Sequence, residues 1–302
     1  MTDTILRTGD LWKQYRRHDA LRGLNLSVPE GSAYALLGAN GAGKTTTIKV
    51  LMNIVGPSRG TATVMGVDSR QMVPELLAQI GYVSENQAFP RRLSVAEYFD
   101  YLRPFYPTWD PALEQSLRSR LQLPPGRRLG ELSHGMRLKA ALAFALAFRP
   151  RLLILDEPFS GLDPLVREEL VESLLPQAGD LTMLVASQEL AEIEHITTHV
   201  GLLHEGRMLV EESIGELSGR LREVRVTLDR PAQVPANLPA EWIQARAFGN
   251  VLSFVDTRFS ESGVAERVRS VLDGVRQIDP QPMPLSSVFK ALVRAVRGGA
   301  AS

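Results

Sequence analysis

The sequence predicts an α/β fold, and three stretches carry the prediction. Ala33-Tyr34-Ala35-Leu36-Leu37 is an apolar run of the length of a buried strand. It leads into the glycine-rich Gly38-Ala39-Asn40-Gly41-Ala42-Gly43-Lys44-Thr45, after which Ile48, Leu51, Met52 and Val55 recur at helical spacing. A second apolar run, Leu152-Leu153-Ile154-Leu155, fits a parallel strand covered on both faces.

The glycine-rich stretch has the spacing G-x-x-x-x-G-K-T of a phosphate-binding loop. Glycines let the backbone curl so that N–H groups converge on an anion at the positive end of the following helix. The candidate binding residues are Gly38, Asn40, Gly41, Ala42, Gly43, Lys44, Thr45 and Thr46. Lys44 is expected to reach the β- and γ-phosphates and Thr45 to bind Mg²⁺.

The bulk properties bound the classes. The chain has 302 residues, 44% hydrophobic and 23% charged, enough for one large domain or two ordinary ones. Lys plus Arg and Asp plus Glu both number 34, so no overall electrostatic footprint for nucleic acid exists and none is expected as a partner. The lack of cysteine removes disulfides and thiolate-bound metal. Met1 to Ile5 has no basic-then-apolar leader pattern, and the apolar stretch Ala140 to Phe148 is far shorter than the ~20 residues of a membrane span.

Ahead of the phosphate loop, Leu11 to Tyr15 and Leu21 to Val28 read as short strands of an antiparallel layer beside the nucleotide core; after the first helix the chain passes through Gly56 to Gly60 into Thr61 to Val64. Tyr15 could stack on a base or simply half-bury on its strand. Ile80 to Val83 reads as a further strand; Glu85 or Gln87 at its carboxyl end could approach a nucleotide's metal or water. Tyr82, Phe89, Tyr98, Phe99, Tyr101, Phe105, Tyr106 and Trp109 then crowd into one stretch, expected to form a helical subdomain's core and, in part, a docking face.

Ser133 suits an N-cap before a helical run from Leu138 to Phe148, and with Gly135 could make a second anion site. Asp156 and Glu157 end the second apolar strand. Two carboxylates there point to a bound cation or an activated water: Asp156 for Mg²⁺, Glu157 to orient and deprotonate the attacking water.

A phosphate loop, an aromatic helical insert, Leu132-Ser133-His134-Gly135, Leu155-Asp156-Glu157-Pro158 and Ser160-Gly161-Leu162-Asp163 follow in that order. This succession, over about residues 5 to 215, resembles the ATP-binding cassette of ABC transporters. The Ser-x-Gly-Met signature and Phe105 to Asp110 are similar to the bacterial branch paired with ABC-2-type membrane subunits.

The resemblance implies a phosphate-loop NTPase core with ATP and Mg²⁺. It also implies a separate ABC-2-type transmembrane permease and a second ATP-binding subunit, in a homodimer or heterodimer, at the cytoplasmic face of the membrane. Ser133 and Gly135 of one subunit would close on the γ-phosphate held by the other, and Asp163 would lie in the loop linking the two sites. Tyr15 matches the aromatic that stacks on adenine. Glu85 stands where the family usually has a glutamine that senses Mg²⁺.

Two departures qualify the resemblance. After the strand Leu181 to Ala186 the family places a histidine, and this chain has Gln188, an amide that donates to a γ-phosphate without carrying charge or relaying a proton. Slow turnover, or a heterodimer in which another chain completes one site, is the expectation. His134 at the middle of the signature is the other departure, taken as a neutral donor.

A hairpin is expected over Val200 to Val210 with Gly206 at its turn. Beyond residue 215 the pattern changes to a small α+β appendage. Glu223 to Leu228 and Val251 to Val255 read as strands around a Pro231 to Pro239 loop; Val264, Val268, Leu272 and Val275 line one helix, and Leu285, Phe289, Leu292 and Val296 a last one. The expected organisation is a cassette over 1–215, its helical subdomain at about 86–150, and an accessory domain over 216–302. Other classes consistent with the motifs are a soluble ABC ATPase acting on ribosomes or DNA, and a slowly hydrolysing ATP-dependent switch.

Overall fold

The computed structural model describes residues 3–85, 87–174, 181–188, 191, 193–235, 237–285, 287–289 and 291. The chain divides into two compact units, 1–211 and 212–302.

The first unit opens with two long antiparallel strands, β1 (Thr4–Tyr15) and β2 (His18–Pro29). They run well beyond the short strands expected: Ile5, Leu6, Thr8 and Leu11 of β1 and Leu21, Leu24, Leu26 and Val28 of β2 are buried among more exposed residues, and the pairing continues through irregularities in register. β3 (Ala33–Leu37), buried throughout, enters the phosphate loop and α1 (Lys44–Leu51). The helix stops before Val55: Asn53 takes φ 55°, which reverses the chain, so Val55 packs on the core from outside the helix. β4 (Arg59–Val64) and β5 (Val67–Asp68) complete the antiparallel sheet, ordered β2-β1-β4-β5.

After the one-turn α2 (Pro74–Leu77), β6 (Ile80–Ser84) joins the central sheet. The helical insert follows as α3 (Val95–Leu102) and α4 (Pro111–Arg120), then α5 (His134–Leu146). α3 begins with a full capping box between Ser94 and Glu97, and Asp110 caps α4. β7 (Leu152–Asp156), α6 (Pro164–Leu174), β8 (Thr182–Ser187), β9 (His199–His204) and β10 (Arg207–Ser213) follow.

The central sheet is ordered β10-β9-β3-β8-β7-β6. Its interior pairs are parallel, with Leu37 beside Ser187 and Asp156 beside Ala186, so the carboxyl ends of β3, β7 and β8 open on one edge. Leu36, Ile154, Leu184 and Ala186 are fully buried between this sheet, α1 and the antiparallel layer. A leucine so placed is worth roughly 1.5–3 kcal/mol, and this core holds the site's strands rigid.

The second unit begins with α7 (Ile214–Arg220), followed by β11 (Arg222–Leu228), β12 (Trp242–Phe248), β13 (Val251–Asp256), α8 (Val264–Val271) and β14 (Val275–Pro282). Its sheet, ordered β12-β13-β11-β14, buries Val224, Val226, Leu252 and Phe254 with Val264 and Val268 of α8. Val275 does not continue α8: the chain leaves the helix at Leu272, turns through Gly274 at φ 68° and starts β14 at Val275. Leu285 and Phe289 are buried; Leu292 and Val296 lie outside the described residues.

Candidate functional site

The phosphate loop is shaped by what surrounds it. A Cβ on Gly38 would stand 2.5 Å from the Leu203 carbonyl oxygen, so only glycine passes there. Gly43 takes φ 113° against the Ala20 carbonyl and is the N-cap of α1. It offers no side-chain cap, and the first turn carries no acid, so the helix keeps its positive end for an anion.

Lys44, 5% exposed, turns back over the loop. Its Nζ donates to the carbonyls of Gly38 at 2.5 Å and Ala39 at 3.3 Å, and lies 2.9 Å from Glu157 Oε1. Glu157 adopts φ 51°, a left-handed conformation that costs an ordinary residue ~1–3 kcal/mol, and its N–H donates to the Ala186 carbonyl across the sheet at 3.0 Å. That turn sends its carboxylate from the end of β7 towards the loop.

Beside it, Thr45 Oγ1 donates to Asp156 Oδ1 at 2.9 Å. Burial pushes the Asp156 carboxyl up from its ordinary range; the Thr45 hydroxyl opposes this, the Glu157 charge adds to it and the Lys44 charge opposes it. A hydroxyl and a carboxylate, both hard oxygen donors, fit Mg²⁺, which keeps waters and takes phosphate oxygens instead of needing a protein cage.

A cavity of about 300 Å³ joins these groups, lined by Tyr15, His18, Ala20, Ala39 to Thr46, Glu85 and Glu157. Tyr15 is 41% exposed, with Lys13 Nζ 5.0 Å from its ring centroid. Glu85 follows β6, its N–H donating to the Asp156 carbonyl at 3.0 Å. Of the two residues expected at that strand end, Gln87 does not line this cavity: its Oε1 accepts from Ser84 N–H at 3.3 Å. His18 and Ala20 went unread because no motif surrounds them; they reach the cavity through the β1–β2 pairing.

Six other anticipated residues do not line this cavity. Gly38 and Asp156 adjoin it, hydrogen-bonded to the lining residues Lys44 and Thr45; the other four are Ser133, Gly135, Asp163 and Gln188. Ser133 caps α5, its Oγ accepting from Met136 N–H at 3.3 Å, and is exposed. Gly135 packs against Val166. Asp163 immediately precedes α6, with Oδ1 accepting from Val166 N–H at 3.0 Å. Gln188 is exposed one residue past β8.

Residues 21–160 match the family model described as ABC transporter. The bacitracin transport ATP-binding protein BcrA of Bacillus licheniformis is 35% identical over 225 residues, 73% of each chain. The chain belongs to the ABC transporter family, as an ATP-binding subunit. The lantibiotic transport ATP-binding protein SrtF of Streptococcus pyogenes is 30% identical to this subunit, over 69% of this chain and 90% of its own. A solved ATP-binding subunit of an ABC transporter superposes with a TM-score of 0.65 at 28% identity, covering 72% of this chain and 92% of that one.

The subunit has a second concavity, a groove of about 260 Å³ between α1, α2, β6 and the helical insert. Tyr82, Phe89, Tyr98, Tyr106, Phe144 and Phe148 line it. Tyr98 sets its ring edge-on to Phe144 at 4.7 Å, and Tyr106 stacks on Phe148 at 4.0 Å. The aromatic stretch thus divides: Phe99 is wholly buried, Tyr82, Phe89, Tyr98 and Tyr106 in the groove are half-buried, and Tyr101 and Phe105 are 57% and 61% exposed. Among the described residues no helix is long and apolar enough to cross a membrane.

Proposed function

We propose that this chain hydrolyses ATP as one half of a nucleotide-clamped dimer, and that dimer closing and opening drive a separate membrane permease of the ABC-2 type. The observation that carries the reading is the pairing of Lys44 with Glu157 and of Thr45 with Asp156, around a cavity that Lys44, Thr45 and Glu157 line. Lys44 would pair with the β/γ-phosphate oxygens, and Thr45 and Asp156 would hold Mg²⁺, which neutralises developing charge on those oxygens. Glu157 accepts the proton of the attacking water, Glu85, which lines the same cavity, is a polar contact of that water, and Gln188, exposed past the end of β8, donates to the γ-phosphate. Tyr15 stacks on adenine. Ser133, Gly135 and Asp163, which lie away from the cavity of their own chain, act on the nucleotide of the second subunit.

The aromatic groove takes the permease, which would place the subunit at the cytoplasmic face of the membrane. The names of the two relatives direct the substrate test to peptide antibiotics. The test is phosphate release by the full-length chain, alone and co-purified with the permease. Mg²⁺-dependent release, altered by the permease, supports the reading; ATP binding without release at either stage refutes it.

Gln188 favours a second reading, a slow enzyme or a heterodimer with one site completed by another chain. Gln188→His then raises steady-state hydrolysis, and an unchanged rate removes this residue as the limit.

A further inference from the structure

The signature helix is tied, within one chain, to the loop that follows the proposed base. His134, the first residue of α5, sets its Nε2 3.3 Å from the carbonyl oxygen of Ser160. A carbonyl only accepts, so Nε2 carries the proton and donates. Ser160 N–H in turn donates to the Glu157 carbonyl at 3.3 Å. Two hydrogen bonds therefore connect the residue proposed as base with the residue next to Ser133.

The other contacts between these elements are of a different kind. A Cβ on Gly135 would meet Val166 at 3.1 Å, so α5 lies close against α6. Further along α5, Lys139, 9% exposed, pairs with Glu169 of α6. Those two hold the helices together. His134 is exposed and fills no core, and removing its ring leaves neither a cavity nor a buried orphan. What it fixes is the position of the first turn of α5 relative to the Ser160–Asp163 loop.

Resting on the dimer reading above, we propose that His134 is a positioning residue that keeps Ser133 in step with this loop. The serine serving one ATP site then moves together with the base of the other. A side chain that cannot donate at this position would leave each site chemically complete and uncouple the pair.

The test measures ATP binding and steady-state hydrolysis against ATP concentration for the full-length parent, His134→Ala and His134→Gln. His134→Ala is expected to bind ATP as the parent does, lose about tenfold in kcat, the scale of one neutral hydrogen bond, and lose cooperativity towards a Hill coefficient of one. His134→Gln, whose amide can donate from a similar distance, recovers both. A His134→Ala enzyme with parental kcat and cooperativity overturns the proposal, as does a His134→Gln enzyme no better than the alanine. A parent that never dimerises on ATP overturns the dimer reading and this proposal together, and shows it without any substitution.

Discussion

Lys44 Nζ and Glu157 Oε1 lie 2.9 Å apart, the lysine buried and the carboxylate largely so. Each is the other's counter-charge, so ATP must exchange one anion for another at the lysine. Glu157→Gln removes that competition and the base together. It should bind ATP at least as tightly as the parent while phosphate release falls by about 10²-fold or more. Equilibrium binding beside a phosphate-release assay checks both halves; retained hydrolysis rejects Glu157 as base.

The Thr45–Asp156 hydrogen bond leads to a separable effect. Asp156→Asn keeps a side chain of the same shape beside Thr45 but loses the charge that a divalent ion needs. ATP binding measured in chelator should stay near the parental value, whereas the tightening produced by added Mg²⁺ should disappear. Equal Mg²⁺ dependence in both proteins would remove Asp156 as an ion ligand.

Tyr101 and Phe105 are exposed and 5.6 Å apart, at the margin of the aromatic groove. Replacing both with alanine should leave ATP binding and thermal stability nearly unchanged, because surface truncations usually shift stability by about 0.5 kcal/mol or less. Co-purification with the permease should fall. Undiminished recovery of the complex places the permease contact elsewhere.

Alkaline stability should report on Tyr34. Burial pushes its phenol well above the ordinary value, and the Glu211 carboxylate, which accepts its hydrogen bond at 2.9 Å, adds to the rise. The folded chain keeps this proton while the unfolded chain releases it above pH ~10. Stability therefore falls as pH climbs past that point, since the folded state binds more protons. In chemical denaturation across the alkaline range, Tyr34→Phe should show a shallower loss than the parent; parallel slopes would contradict the assignment.

What could be read in advance followed from burial. β3 matched its expected bounds and β7 exceeded its apolar run only by Asp156, since strands covered on both faces are written in uninterrupted apolar letters. β12 and β14 were missed for the opposite reason. Arg246, Ala247 and Phe248 of β12 are exposed, and β14 carries Pro280 and Pro282, tolerated because the strand lies at the sheet edge. In the site, the loop and the two carboxylates were legible as local motifs. The Lys44–Glu157 ion pair was not, because it arises from the left-handed turn at Glu157 and the packing of β7 beside β8. The same holds for the groove, where Met52, Leu77 and Phe148 meet from separate helices and loops.

The most direct measurement is the structure of full-length Glu157→Gln with ATP and Mg²⁺. The account predicts two chains enclosing two nucleotides, with Ser133 Oγ of each chain within hydrogen-bond distance of the γ-phosphate bound by Lys44 of the other. A nucleotide held by Lys44 alone, with the serine of every neighbouring chain remote from it, would contradict the account.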